Sequence, residues 1–383
     1  MAVPLDNCKA QAAVEKAIRD WDMAGDATAV LYIRSLAREG PITIPYIPPT
    51  VQALRLRCYI TRIPLLPESL KVLDVKLENA LDELPALPEG LIELEWYGNS
   101  KQYHLIDFPQ SLKKLTVTLM DDPPNYEWIP TGLLELNMFF YLSSLPIKFP
   151  ASLNKLHLCI FNDAYDSNNC LIFPAIPHGL CELFYESRIN CFPVLPVSLE
   201  KLHLRIWYDA SESYGLFVFP ALPCSIREFV YEAPFNRIPT LPDSLKSLEI
   251  SITSRTLQTL PELPDGLEIL NINFMVINEL PCVLPSCLKI FKCQETFLRR
   301  LPALPRGLRE LHCDSTCLTY LPVLPSTLEH LSCSDCRLEC LPRLPASLKV
   351  LTCHCNNIKK FPVYPSYLDV YDDNIRKTRL DIV

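Results

Sequence analysis

The sequence feature that most constrains the fold is a short period near the C-terminus. Leu308 to Pro325 reads LRELHCDSTCLTYLPVLP. Twenty residues later Leu328 to Pro345 reads LEHLSCSDCRLECLPRLP, and from Leu348 the chain reads LKVLTCHCNNIKKFPVYP. Self-similarity at this spacing means a stack of like units, each covering its neighbour's apolar face. Numbering every unit from its first Leu, positions 1, 4, 6 and 11 are apolar, and a Leu-Pro-x-Leu-Pro segment follows.

Position 1 recurs sixteen times between Val51 and Leu368, always with a Pro three residues before it. Positions 2 to 7 alternate outward and inward and read as a short strand. The Leu-Pro-x-Leu-Pro segment cannot be helical, because Pro removes a donor and fixes φ near the polyproline value. It must return extended across the opposite face. The expected architecture is an α/β repeat solenoid: right-handed, with a parallel β-sheet on the concave face and an extended, polyproline-like convex face. With strands ~4.8 Å apart, sixteen turns span about 75 Å.

The prolines number 36 against 9 glycines, and their regular placement, with 49% hydrophobic residues, argues against disorder. The net charge of -8 does not favour a nucleic-acid partner. No apolar run is long enough for a membrane span, and there is no signal-peptide core at the N-terminus. Cysteine is 17, and Cys293, Cys313, Cys333 and Cys353 all fall at position 6, where other units carry Leu, Val or Ile. They read as small core residues in a reducing compartment.

Residues 1–44 read as a helical N-terminal cap. Asp6 can cap a helix with Ala10, Ala13, Val14, Ala17, Ile18 and Trp21 on one side, and Asp26 a second helix carrying Val30, Ile33, Leu36 and Ala37. Repeats fill 45–370, and 371–383 leaves room for a C-terminal cap or tail. Residues 153–198 and 199–244 form two 46-residue doublets that align throughout, and the residue before position 1 tends to alternate between Ser and Gly.

The Leu-Pro-x-Leu-Pro-x-Ser-Leu-x-x-Leu units, clearest at Leu301–Leu311 and Leu341–Leu351, resemble those of the bacterial leucine-rich repeat effectors, the family of YopM and of the repeat halves of the IpaH and SspH ubiquitin ligases. The resemblance covers nearly the whole chain. It implies a leucine-rich repeat horseshoe serving as a non-enzymatic protein–protein interaction scaffold. It further implies a virulence effector, secreted by a non-classical route into the host cytoplasm, that binds host signalling proteins. One alternative is the substrate-recognition module of a ubiquitin ligase lacking its catalytic domain; another is a viral or environmental leucine-rich repeat binding protein, since similar Cys-containing Leu-Pro repeats occur there. That family usually carries Asn at position 9; Asn99 and Asn356 fit, whereas Thr296, Thr316 and Cys336 replace it. The family's ligases use a Cys-x-Asp nucleophile. Cys333-Ser334-Asp335 has the letters, but Cys333 stands at an inward position and no helical domain follows Leu368.

No catalytic, cofactor-binding or metal-binding residue is expected. The concave face carries positions 3, 5 and 7. Position 3 reads Glu93, Lys114, Glu135, Lys155, Glu182, Lys201, Glu228 over seven turns, a ladder of alternating charge better suited to self-neutralising register control than to recognition. Positions 5 and 7 offer protein-binding candidates: Tyr97, Phe139 and Phe184, and the Lys201, His203, Arg205 turn flanked by Glu186 and Glu232. His157, His203, His312, His330 and His354 also fall here, as a contact surface rather than a metal site. Two long turns, Phe161–Asn169 and Trp207–Gly215, carry aromatics beside acids. Phe161, Tyr165, Trp207 and Tyr208 either pack on one another or form a partner-binding hot spot.

Overall fold

The structure is a computed structural model of the full chain. It describes residues 5–24, 30–34, 41–60, 62–77, 85–97, 107–119, 127–140, 148–161, 175–187, 194–207, 221–234, 238–252, 260–363 and 368–371. The chain divides into two compact units, 1–196 and 197–383.

The first unit opens with helix α1 (Leu5–Ala24) and continues through strands β1 (Val30–Arg34), β2 (Ala53–Cys58), β3 (Val72–Leu77), β4 (Glu93–Tyr97), β5 (Lys114–Leu119), β6 (Glu135–Phe140), β7 (Lys155–Ile160) and β8 (Glu182–Ser187). Each strand pairs in parallel with the next in sequence. The second unit holds β9 (Lys201–Ile206), β10 (Glu228–Ala233), β11 (Ser247–Ile252), β12 (Ile269–Asn271), β13 (Ile290–Lys292), β14 (Glu310–His312), β15 (His330–Ser332), β16 (Val350–Thr352) and β17 (Asp369–Tyr371), again each parallel to the next.

The repeat positions explain the pairing. Positions 1, 4 and 6 face inward, as in Leu70, Leu73 and Val75 or Leu308, Leu311 and Cys313, all fully buried. Each such side chain contributes on the order of 1.5–3 kcal/mol by leaving water. Position 1 closes a β-turn: the Leu70 amide donates to the Pro67 carbonyl at 3.0 Å, and Leu308 to Pro305 at 3.1 Å. This is why a Pro precedes every unit by three residues; its carbonyl is the acceptor, and its ring presets the extended approach.

The ladder starts with a fork. The Gln52 carbonyl accepts from both Lys71 and Val72, and the Lys71 carbonyl from both Ile92 and Glu93. Strands therefore begin at position 3, one residue later than the alternation alone suggests. They run to position 8 in β2, β3 and β5 but stop at position 5 from β12 onward. The reason is a tight turn. Phe274, Glu295, Ser315, Asp335 and Cys355, all at position 8, have φ between 52° and 62°. The amides of the first four still reach the next turn, as Ser315 does to the Ser334 carbonyl at 2.8 Å.

Position 9 completes that turn from inside. Asn356 Nδ2 donates to the carbonyls of Cys333 and Cys353, and its Oδ1 accepts from the Leu338 amide. Thr296 and Thr316 substitute with a hydroxyl donating to Cys293 and Cys313, each at 2.9 Å. Cys336 offers a thiol to the Cys313 carbonyl at 3.2 Å. The Ser/Gly alternation before position 1 also has a cause. Ser69 and Ser111 donate to carbonyls of the preceding turn. At Gly90, Gly132 and Gly266 a Lys of the preceding turn covers the backbone instead: Lys71, Lys113 and Lys246 Nζ donate to the three glycine carbonyls. A Cβ on Gly90 would lie 2.6 Å from Lys71 Nζ.

One sequence expectation is corrected. Val30–Arg34 is not the core of a second helix but strand β1, paired with β2. Leu31 and Ile33 are buried while Val30, Tyr32 and Arg34 are exposed, a period-2 pattern. Helix α1 forms and packs beside β1 with Ala10, Val14 and Ile18 buried, but it begins at Leu5, so Asp6 lies in its first turn, and of the other expected inward residues Ala17 and Trp21 are half-buried and Ala13 is exposed. Gln11 clamps it by a reciprocal pair of 2.9 Å bonds with the backbone of Thr43.

Candidate interaction surface

Outward positions of the first unit assemble into three rows across the strands. Row 3 runs Glu93, Lys114, Glu135, Lys155, Glu182 in direct register. Lys155 reaches Glu182 at 3.6 Å, while Lys114 lies nearer Glu95, at 2.6 Å, than Glu135, at 3.9 Å. Burial pulls the Lys114 ammonium pKa down, but the hydrogen bond and charge of Glu95, with Glu135 and Glu93, raise it overall. Lys114–Glu135 and Lys155–Glu182 are thus ion-paired steps of the ladder, and such half-exposed pairs are worth little individually.

Rows 5 and 7 carry an aromatic line. Tyr97 on β4 and Phe139 on β6 lie 6.1 Å apart between ring centroids, spanning β5, where Thr118 faces Phe139. His157 on β7 sits edge-on to Phe139 at 5.3 Å and 5.7 Å from Phe184 on β8. Lys155 Nζ stands 5.4 Å from the Phe184 centroid. Beyond the line is acid: Glu186 lies 3.4 Å from His157 Nε2 and 3.8 Å from the Cys159 thiol. Tyr97, Phe139 and Phe184 are all half-buried, so one flank of each ring meets solvent.

At the other end of the line is a basic cluster that sequence reasoning missed. Register places Arg34, Arg57 and Lys76 side by side in row 7, and Tyr32, Arg55 and Asp74 in row 5. Asp74 is only 5% exposed and binds Arg57 Nη2 at 2.7 Å and Arg55 Nε at 2.8 Å. Arg57 also lies over the Tyr97 ring, 5.9 Å from its centroid. Burial first, then the charges of Glu95 and Asp74, raise the Tyr97 pKa. The signal in the sequence is an Arg at position 7 in two successive strands, which a helical reading of the stretch after Asp26 conceals.

In the second unit Lys201, His203 and Arg205 share β9. Lys201 pairs with Glu228 at 3.2 Å, and Arg205 grips Glu232 through two bonds, at 2.6 and 3.0 Å. His203 is 3.7 Å from the same carboxylate. Trp207 is 38% exposed at the end of β9, and Phe161 is half-buried at the end of β7. Tyr165 and Tyr208, with the rest of the two long turns, lie outside the described residues. His312, His330 and His354 occupy three different rows.

Cys333, of the Cys-x-Asp triplet, is fully buried, out of reach of any substrate. Burial likewise drives the thiols of Cys293 and Cys313 well above their usual pKa. Fourteen cysteines are described, and none of them is in a disulfide. Among the described residues no helix is long and apolar enough to cross a membrane.

Solved structures share the fold. YopM from Yersinia pestis, described as a leucine-rich effector protein, is 22% identical, with 97% of this chain and 95% of that one covered at a TM-score of 0.52. The fold is that of a leucine-rich repeat protein. CroV588, a circular leucine-rich repeat protein, is 20% identical, covering 87% of this chain and 58% of its own at a TM-score of 0.55. At these identities the likeness concerns the leucine-rich repeat fold. No protein-family model matches the chain, and no curated protein matches it.

Proposed function

We propose that this leucine-rich repeat protein is a non-enzymatic scaffold that grips a protein partner on the outward faces of its strands. The observation that carries this reading is the aromatic line Tyr97, Phe139, His157, Phe184: rings on rigid strands, packed on one flank and wet on the other, give large contact area at low ordering cost. The likeness in fold to YopM, a leucine-rich effector protein, supports the finer reading of a secreted effector that acts on signalling proteins in a host cytoplasm. Fourteen described cysteines outside disulfides are compatible with a reducing compartment. Phe161 in the first unit, and Trp207 with Lys201, His203 and Arg205 in the second, are proposed as further protein contacts, each within its own unit; Tyr165 and Tyr208, outside the described residues, are proposed from the sequence alone.

The test is partner capture from host-cell lysate, identified by mass spectrometry, with the intact chain and a Tyr97→Ser/Phe139→Ser/Phe184→Ser variant. Capture should fall at least tenfold while circular dichroism stays unchanged. Equal capture by a folded variant would remove the aromatic line from the proposal.

A further inference from the structure

Resting on the reading that this surface binds protein, we infer that the first unit takes one kind of segment. It is an extended peptide with carboxylate or phosphate groups at one end and bulky apolar side chains further along.

The basic end sets the first half of that pattern. Arg34, Arg57 and Lys76 stand on three successive strands in one row, so with strands ~4.8 Å apart all three cations fall within about 10 Å. Arg55 lies beside them. Asp74 is the carboxylate inside the cluster; it is buried beneath the two arginines and engages Arg55 and Arg57 only. Arg34 and Lys76 are exposed, and Arg57 Nη1 is buried with no acceptor. Four positive charges stand over the buried Asp74, and Glu95, beside Asp74 in row 5, is taken by Lys114 at 2.6 Å, so the cluster keeps a local excess in a chain whose net charge is -8. Asp74 holds the two guanidinium forks in place, so an arriving anion meets donors already ordered, the condition under which charged hydrogen bonds contribute most to affinity.

Arg57 also ties this cluster to the rings, lying over Tyr97, from which the line continues through Phe139 and His157 to Phe184. From β2 to β8 is six strand spacings, roughly 29 Å, the reach of about nine extended residues. The paired strands between them offer no open backbone edge, so recognition falls to side chains. The far end carries Glu182 and Glu186, which would repel a uniform polyanion such as a nucleic acid. The anionic groups therefore belong at one end of the segment, and the apolar groups about four to six residues away.

The experiment uses the full chain and fluorescein-labelled nonapeptides read by fluorescence anisotropy. One peptide carries Glu at its first three residues and Phe at residues six and eight. A second has the same composition with Glu and Phe interleaved, and a third has phosphoserine in place of Glu. The segregated peptides should bind at least tenfold tighter than the interleaved one, and the stronger of the two identifies the anion as carboxylate or phosphate. Arg34→Glu/Lys76→Glu should lower that affinity at least tenfold, with Arg34→Gln/Lys76→Gln as the gentler pair if the reversal unfolds the protein. Segregated and interleaved peptides bound alike, or not at all, would overturn the inference. So would indifference to both charge variants, or tighter binding of a single-stranded oligonucleotide or phosphatidylserine vesicles. Lysate capture that survives the charge variants but not the aromatic variant would sink this inference and leave the scaffold reading intact.

Discussion

Arg57 donates to Asp74 at 2.7 Å across neighbouring strands, although Asp74 is almost sealed from solvent. A buried carboxylate facing outward from a sheet is unusual, and its two arginine partners are the reason it is tolerated.

Asp74→Ala should destabilise the protein by about 2–3 kcal/mol, because it leaves Arg57 partly buried and uncompensated. Arg55 is half exposed, so Arg55→Gln should cost under about 1 kcal/mol. Urea unfolding followed by the fluorescence of Trp96, which lies in the core beside this cluster, would show the difference. Equal losses for the two variants would contradict it.

The turn interior makes a second prediction. Thr316→Val deletes the stronger of the two donors to the Cys313 carbonyl, leaving only the Cys336 thiol, and should cost about 1 kcal/mol. Cys336→Asn should stabilise by a similar amount, about 1 kcal/mol, since an amide makes the bonds that Asn356 makes one turn later better than a thiol does. Thermal melts that move in opposite directions for the two variants are expected; a lower melting point for Cys336→Asn would count against this account.

Ser111→Ala and Gly90→Ala separate the two solutions found before position 1. The serine loses a hydroxyl shared between the carbonyls of Glu89 and Leu91, at about 1 kcal/mol. The added methyl at Gly90 meets only the flexible end of Lys71 and should cost less, under about 0.5 kcal/mol. Adding Lys71→Met to Gly90→Ala should leave little further effect. A larger loss from Gly90→Ala than from Ser111→Ala would show that the glycine is needed for its backbone.

Glu268 and Glu329 have carboxyl pKa values below the usual range, through hydrogen bonds from Lys289 and Lys349 and then the charge of those lysines. Depressed folded values mean stability that is present above the unfolded carboxylate pKa, about 4.3, and is lost as pH falls through the folded values. Glu268→Gln/Glu329→Gln should therefore show a smaller drop in melting temperature between pH 7 and pH 3 than the parent chain. The effect is small because both sites are exposed, and an identical drop would refute it.

Most of the fold was legible because one rule repeats. Leu at position 1, the Pro before it and the alternation after it fix the turn, the strand and the parallel register, and Glu93 does face Lys114. Val30–Arg34 was misread because five residues fit both periods: Val30 and Ile33 have helical spacing, while Leu31 and Ile33 alternate as in a strand. The open backbone of β2 decided between them, and local sequence does not carry that information. The same error hid the basic cluster, which exists only once Arg34 is laid beside Arg57. Tyr97, Phe139 and Phe184 were legible as outward residues, but their linkage through His157 depends on ring geometry that no spacing reveals.

The forked carbonyl at position 2 is indifferent to how much chain lies between one turn and the next. Gln52 holds amides of Lys71 and Val72 nineteen residues on, and Asn154 holds those of Cys181 and Glu182 after a turn eight residues longer. Loop closure costs little for such an increment. β7 and β8 therefore keep the same pairing as strands joined by shorter connections, so the length of chain between turns is free to vary without changing the register.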